Sequence, residues 1–379
     1  MKRLITSESV SFAHPDKIAD QISDGILDAF LEKDPNCKVA VETMVKDNTV
    51  VLGGEVSSKE SIDYDKVVRE IVKTFGYTLE HGFHQDSLTI INLIGKQSKE
   101  INLAVELEDT VTAGDQGFMV GYATNETPTY MPLGMYISKK LVDYVSVFDH
   151  RFGPDTKAQV TIEEDSEDNS KRVHTILVST MHDKSIELDE VITTIKNDIK
   201  MNLIGFDKDI HSLIDENTNI IINPAGQWNI GGPVSDCGLT GRKIVVDQYG
   251  PYCPVGGGAY SGKDANSKCD RSGAYLARYL AKNIVSTGLV NECKVEISYM
   301  IGISEPSSLN IDTFGQYDDE KLIKIIKSII EMSPSSVSDK FDLKNPIGWS
   351  YLETAKGHYG NDIFPWEQLD MVDKIKSRV

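Results

Sequence analysis

Helices, hairpins and single strands alternate along this chain without the regular βαβα rhythm of a parallel sheet, which predicts an α+β architecture. Two further observations support that class. Amphipathic helices are separated by pairs of strand-like segments, and 379 residues are too many for one ordinary core, so two or three domains are expected.

The first helix is predicted to begin near His14, because Ile18, Ile22, Ile26 and Phe30 recur at helical spacing. Pro15 suits its first turn and Asp16 complements its dipole. Val39, Val41, Thr43 and Val45 then alternate as a strand, and Asp47-Asn48 marks a turn before Thr49–Val56. A two-residue turn places Glu42 opposite Gly53, with Glu55 two residues along the same face. A bulge at Gly53-Gly54 would break that register. Tyr64, Val67, Val68, Ile71, Val72 and Phe75 form a second amphipathic helix, capped by Gly76.

Leu88–Ile94 reads as an apolar strand, and the stretch from Gly95 to Gly117 shows no convincing period. Phe118–Thr124 is a strand, and Ala158–Ile162 with Val173–Thr180 form a hairpin around the acidic Glu163–Ser170. Leu188–Leu203 is a helix and Ile220–Ile222 a buried strand, followed by the glycine-rich tract Gly226–Gly241. Ala274–Val285 is a helix stopped by Gly288, Val295–Ile301 a strand and Leu322–Met332 a helix. The weakest points for boundaries fall near residues 100–113 and 225–232, and no internal repeat is visible in the residues.

The formal charge of −19 excludes the basic footprint of a nucleic-acid or anionic-membrane partner. Five cysteines without a C-x-x-C pair read as reduced thiols, and no stretch has the length of a membrane span. A cytoplasmic location is expected.

An anionic ligand therefore needs a local basic pocket. Arg242, Lys243, Lys263, Lys268 and Arg271 supply one, bracketed by Asp236 and Asp270 and flanked by glycines. From Gly257 the spacing is G-x-x-x-x-G-K, as in a phosphate-cradling loop, but Asp264 stands where that loop needs a hydroxyl for Mg²⁺. A carboxylate there repels a bare polyphosphate unless metal ions share the site. His14, Asp16 and Lys17 at a helix start could hold a phosphate and its metal, although, taken alone, capping and surface charge are the simpler account of them. Glu42 and Glu55 could bind a cation, or simply face water. Asp115 in Gly114-Asp115-Gln116-Gly117 sits on a tight turn, and Trp228 could offer an aromatic face to a base or fill a core.

Thr6-Ser7-Glu8-Ser9-Val10, His14-Pro15-Asp16-Lys17-Ile18-Ala19-Asp20, Gly114–Gly117 with Gly121-Tyr122-Ala123-Thr124, Gly231-Gly232-Pro233, Asp236–Lys243 and Gly256–Asp264 occur in this order. Together they resemble S-adenosylmethionine synthetase over almost the whole chain, from about Leu4 to Phe364-Pro365-Trp366-Glu367. The resemblance implies three similar α/β-sandwich-like domains with mixed or antiparallel sheets around a pseudo-threefold axis. It places an N-terminal domain at 1–100, a mobile lid at 101–113, a central domain at 114–227 and a C-terminal domain with the glycine-rich triphosphate loop at 228–379. It also implies a homodimer, often doubled to a tetramer, with active sites shared between subunits.

The reaction so implied is attack of methionine sulfur on C5′ of ATP, expelling triphosphate that is then cut to pyrophosphate and phosphate. By resemblance the catalytic set is His14, Lys157, Arg242, Lys243, Lys263 and Lys268. ATP contacts come from His14, Asp155, Lys157, Gln227, Trp228, Asp236, Arg242, Lys243, Ala259 and Lys263. Methionine contacts come from Glu55, Gln97, Asp115, Asp236 and Lys268. Asp16 and Asp270 resemble the ligands of two Mg²⁺ ions, and Glu42 the ligand of one K⁺. The chain departs from the family pattern at Phe12-Ala13, where Glu-Gly is usual, and at Gln227-Trp228, where Arg-Phe is usual. It also carries one extra residue between Lys263 and Lys268, and Leu103-Ala104 in the lid where Gln-Gly is expected.

Overall fold

A computed structural model describes residues 1–96, 113–148, 152–168, 170–265 and 268–379. The chain runs through one motif three times. The first run comprises β1 (Lys2–Val10), α1 (Pro15–Leu31), β2 (Lys38–Lys46), β3 (Thr49–Ser57), α2 (Tyr64–Lys73) and β4 (Thr89–Asn92), with the two-residue β5 (Gly95–Lys96) beside β3. The second comprises β6 (Gly117–Thr124), α3 (Leu133–Phe148), β7 (Phe152–Asp165), β8 (Lys171–His182), α4 (Leu188–Lys200) and β9 (Asn219–Ile222). The third comprises β10 (Gly238–Leu239), α5 (Cys269–Ser286), β11 (Glu292–Tyr299), β12 (Ser308–Asp312) and α6 (Asp319–Ile329), followed by short helices. The repeat invisible in the residues is thus plain in the order of elements.

Each run lends its first strand to another run's sheet. The sheet orders are β1-β7-β8-β9, β10-β2-β3-β4 and β12-β11-β6. The exchange is cyclic: first run to second, second to third, third to first. Its functional consequence is local. β1 lies antiparallel to β7 with Val10 opposite Lys157, so the turn that follows β1 carries His14 toward Lys157. β10 pairs with β2, so Arg242 and Lys243 emerge beside the start of α1.

The helix predicted near His14 is α1, with His14 as its N-cap and Pro15 in its first turn. Ile18, Ile22 and Ile26 are fully buried. The β2–β3 hairpin has the predicted two-residue turn, Lys46 opposite Thr49 and Glu42 opposite Gly53, and its register runs unbroken past Gly53-Gly54. Gly54 has φ +111°, and an added Cβ would meet the Ala40 carbonyl oxygen at 2.0 Å.

α5 begins at Cys269 rather than Ala274, because its first turn is buried by polar partners instead of an apolar stripe. β1, α3 and β12 stand where no element was predicted. Among the described residues, no helix is long and apolar enough to cross a membrane.

Candidate functional site

His14, Asp16, Lys157, Asp236, Arg242 and Lys243 line one pocket of about 330 Å³ between the start of α1, the β1–β7 pair and the turn after β10. These residues come from three distant parts of the sequence, and the strand exchange brings them together. The Nδ1 of His14 accepts the Asp16 backbone N–H at 3.1 Å, which leaves Nε2 to carry the ring proton. Burial, reinforced by the nearby Lys243 and Lys157 ammonium groups, pushes the imidazole down to about 3, so the ring is neutral at ordinary pH.

Asp16 takes the Leu239 amide on Oδ1 at 2.9 Å and pairs through Oδ2 with Lys243. Burial works to raise its pKa, but the Lys243 ammonium and the Leu239 amide outweigh it and hold the carboxyl below its usual range. Asp155 lies just outside this lining on β7, and its Oδ2 accepts the Gly232 N–H at 2.8 Å. Burial raises it to about 6, and its Oδ1 has no partner among the described residues.

A second cluster forms around the glycine-rich loop. Lys263 Nζ reaches Asp270 Oδ2 at 2.8 Å, and the Gly258 N–H donates to Asp270 Oδ1 at 3.3 Å. Ala40 of β2 bridges to Lys263 on one side and pairs with Glu55 on the other, so Glu55 and Lys263 share one face. Glu42 and Glu55 are both exposed. Cys269 of α5 donates its thiol to the Asp115 carbonyl at 3.3 Å, which holds the Asp115 turn against this cluster. Burial raises that thiol to about 12, so Cys269 is no nucleophile. Lys268 is the N-cap of α5 and is partly exposed.

Ala259 connects the clusters, since a Cβ added at Gly241 would lie 2.4 Å from the Ala259 methyl. Gln227 and Trp228 are not among the pocket's lining residues. Trp228 is tied to its own segment, donating from Nε1 to the Ile230 carbonyl at 2.9 Å. Gln97 and residues 101–112 of the expected lid lie outside the described residues.

Three sequence-level readings need correction. Arg271 is fully buried, gripped by Asp24, and cannot face a phosphate. Lys17 is buried between Asp20 at 2.9 Å and Asp247 at 2.6 Å. Asp264 is buried as well and accepts the Val39 N–H at 2.9 Å, so it fastens the loop to β2 instead of opposing phosphate charge. A loop of this spacing in a nucleotide triphosphatase follows a strand and opens a helix. Here the preceding element is a short 3₁₀ turn at Gly250–Tyr252, and the next helix begins only at Cys269.

Sequence reasoning named Asp16 but missed the ladder that continues from it along α1. Asp16, Asp20, Asp24 and Asp28 are spaced four apart, and together they hold three backbone segments, Asp16 and Asp20 sharing the one at Leu239–Gly241. Asp20 accepts the Gly241 N–H at 2.9 Å, Asp24 the Gly262 N–H at 2.8 Å, and Asp28 the Tyr351 and Leu352 N–H groups at 2.9 and 2.8 Å. The i, i+4 spacing was the available signal.

Among the described residues, no three carboxylate, histidine or cysteine groups converge as a metal cage. Asp16 and Asp270 each offer one carboxylate beside a lysine. That suits Mg²⁺, which keeps several waters and binds through one or two carboxylates plus substrate phosphates.

Residues 2–99 match the N-terminal domain of S-adenosylmethionine synthetase, residues 110–228 its central domain and residues 230–368 its C-terminal domain. The fold is similar to a solved structure described as an unusual S-adenosylmethionine synthetase from Campylobacter jejuni, at 36% identity and a TM-score of 0.89 over 99% of each chain.

Proposed function

This chain belongs to the S-adenosylmethionine synthetase family and is a methionine adenosyltransferase, and on that footing we propose that its His14 pocket binds the triphosphate of ATP while methionine sulfur attacks C5′. The sulfur lone pair forms the S–C5′ bond, and the C5′–O5′ bond breaks with its electrons leaving on triphosphate. Methionine sulfur carries no proton, so neither a general base nor a covalent nucleophile is required. The task is alignment of three atoms and stabilisation of a highly charged leaving group.

The observation that carries this reading is the gathering of Lys157, Arg242 and Lys243 around a neutral His14. The three cations neutralise the phosphates, and His14 Nε2–H donates to the departing oxygen. Asp155 secures Gly232, and Asp236 contacts the nucleoside or methionine.

The family uses divalent and monovalent metal ions. Asp16 and Asp270 would each hold one Mg²⁺ and Glu42 one K⁺, and these ions would offset phosphate charge beyond the reach of the lysines. The second cluster, with Glu55, Asp115, Lys263, Lys268 and Asp270, completes the site from another copy of the chain in a homodimer or a tetramer of two dimers. Glu55, Asp115 and Lys268, with Gln97, then hold the charged ends of methionine. The bound triphosphate is afterwards hydrolysed to pyrophosphate and phosphate.

Incubation with ATP, methionine, Mg²⁺ and K⁺ tests this directly. Equal amounts of sulfonium product, pyrophosphate and phosphate are expected; ADP formation, or free triphosphate as the end product, would contradict it.

A further inference from the structure

Tyr77, shortly after α2, is not among the residues lining the His14 pocket, yet it meets two of the segments that build it. Its hydroxyl donates to the Ala13 carbonyl at 2.8 Å. At the other end of the same peptide unit, the His14 N–H donates to the Ser11 carbonyl at 3.1 Å. Both ends of the Ala13–His14 peptide are therefore pinned. A peptide unit is planar, so its orientation sets the φ of His14, −61°, and with it the direction in which the imidazole leaves the backbone.

The ring of Tyr77 braces the second segment. Gly232 has φ +67°, and a Cβ added there would lie 2.5 Å from Tyr77 Cζ. The Gly232 carbonyl accepts the Asp236 N–H at 3.1 Å, so the ring packs on the turn that delivers Asp236 to the pocket. The buried Phe83 meets the Tyr77 ring edge-on, with centroids 5.9 Å apart.

A phenylalanine would fill this space equally well, and the hydroxyl adds only its grip on the peptide before His14. Burial raises that hydroxyl well above its usual range, so it keeps its proton and stays a donor. Gln21 of α1 grips the preceding peptide in the same manner, donating from Nε2 to the Phe12 carbonyl at 2.5 Å. Phe12-Ala13 is where the chain departs from the family's Glu-Gly. Both anchors hold carbonyls, which every residue presents, so they work whatever side chains stand there.

We infer that Tyr77 is a positioning residue for S-adenosylmethionine formation: its hydroxyl fixes the Ala13–His14 peptide so that His14 Nε2–H meets the oxygen leaving C5′. The inference rests on His14 being the donor to that oxygen. Hydrolysis of triphosphate breaks a bond between phosphates after that oxygen has left, and so does not draw on this placement.

The test is Tyr77→Phe, which keeps the ring against Gly232 and Phe83 and removes only the hydroxyl. Formation of the sulfonium product is expected to fall about tenfold in kcat, with both KM values within about twofold of the parent. Hydrolysis of added tripolyphosphate should stay within about twofold, which a general loosening of the fold would not allow. Introduced into His14→Asn, the same change should cost nothing further, because the group it positions is gone. Replacing Tyr77 by 4-aminophenylalanine, whose neutral amine still donates, should restore the lost rate. An unchanged kcat in Tyr77→Phe while His14→Asn is impaired would overturn the positioning role alone; a kcat indifferent to His14→Asn would overturn the reading of His14 with it. Equal losses in synthesis and hydrolysis, or additive losses in the double variant, would likewise reduce Tyr77 to a structural residue.

Discussion

Asp24 and Arg271 form a bidentate ion pair with no exposed surface, Nη1 to Oδ1 at 2.7 Å and Nη2 to Oδ2 at 2.9 Å. The pair locks α1, which starts at the His14 pocket, to α5, whose first turn carries Asp270. Asp24 also holds the Gly262 N–H, and Arg271 Nη1 reaches the Lys263 carbonyl at 3.2 Å. One buried contact therefore sets the spacing between the two clusters within each chain.

Asp24→Asn leaves a buried guanidinium without its counter-charge and is expected to destabilise the fold by about 3–5 kcal/mol. Denaturant unfolding measures this. A loss below about 1 kcal/mol would show that the pair is not the clamp described here.

Lys243→Met removes a cation from the pocket proposed to hold the triphosphate and releases Asp16. The expected effect is a fall in kcat of about a hundredfold or more, with a smaller change in KM for methionine. Steady-state kinetics separates the two, and an unchanged kcat would remove Lys243 from the leaving-group machinery.

The pH dependence of stability follows from His14. Its pKa is about 6.5 unfolded and about 3 folded. Between those values the unfolded chain binds the extra proton, so stability is full above about pH 6.5 and is lost as pH falls toward 3. His14→Asn should lower the slope of unfolding free energy against pH in this window by up to about 1.4 kcal/mol per pH unit. A slope unchanged from the parent would mean that His14 titrates normally.

Chelating Mg²⁺ is expected to abolish activity and leave the fold intact, because Asp16 and Asp270 are already neutralised by Lys243 and Lys263. Circular dichroism melts with and without chelator check this. A large drop in the melting temperature would indicate a resident structural metal instead of one carried in with the nucleotide.

Much of this was legible in the residues, and the remainder fails for identifiable reasons. α1 was readable because Ile18, Ile22 and Ile26 keep a strict period behind Pro15, and the β2–β3 register because a two-residue turn fixes it. The pocket's residues were named by motif, yet their grouping was not, since it depends on strand pairings such as Val10 with Lys157. Arg271 was misread as a phosphate contact because its partner, Asp24, lies on another run of the chain. The start of α5 was missed for the same reason: Asp270 and Arg271 are buried by charge pairing, which apolar periodicity does not register.

Subunit complementation tests most directly the claim that Lys243 and Lys263 act in one site from different copies of the chain. Lys243→Met and Lys263→Met proteins are each expected to be nearly inactive. Dissociated, mixed in equal amounts and reassociated, they should recover roughly a quarter of parental activity, because half of the dimers carry one intact site of two. Recovery absent despite demonstrated mixed dimers would place both lysines in a site built by a single chain and contradict the account.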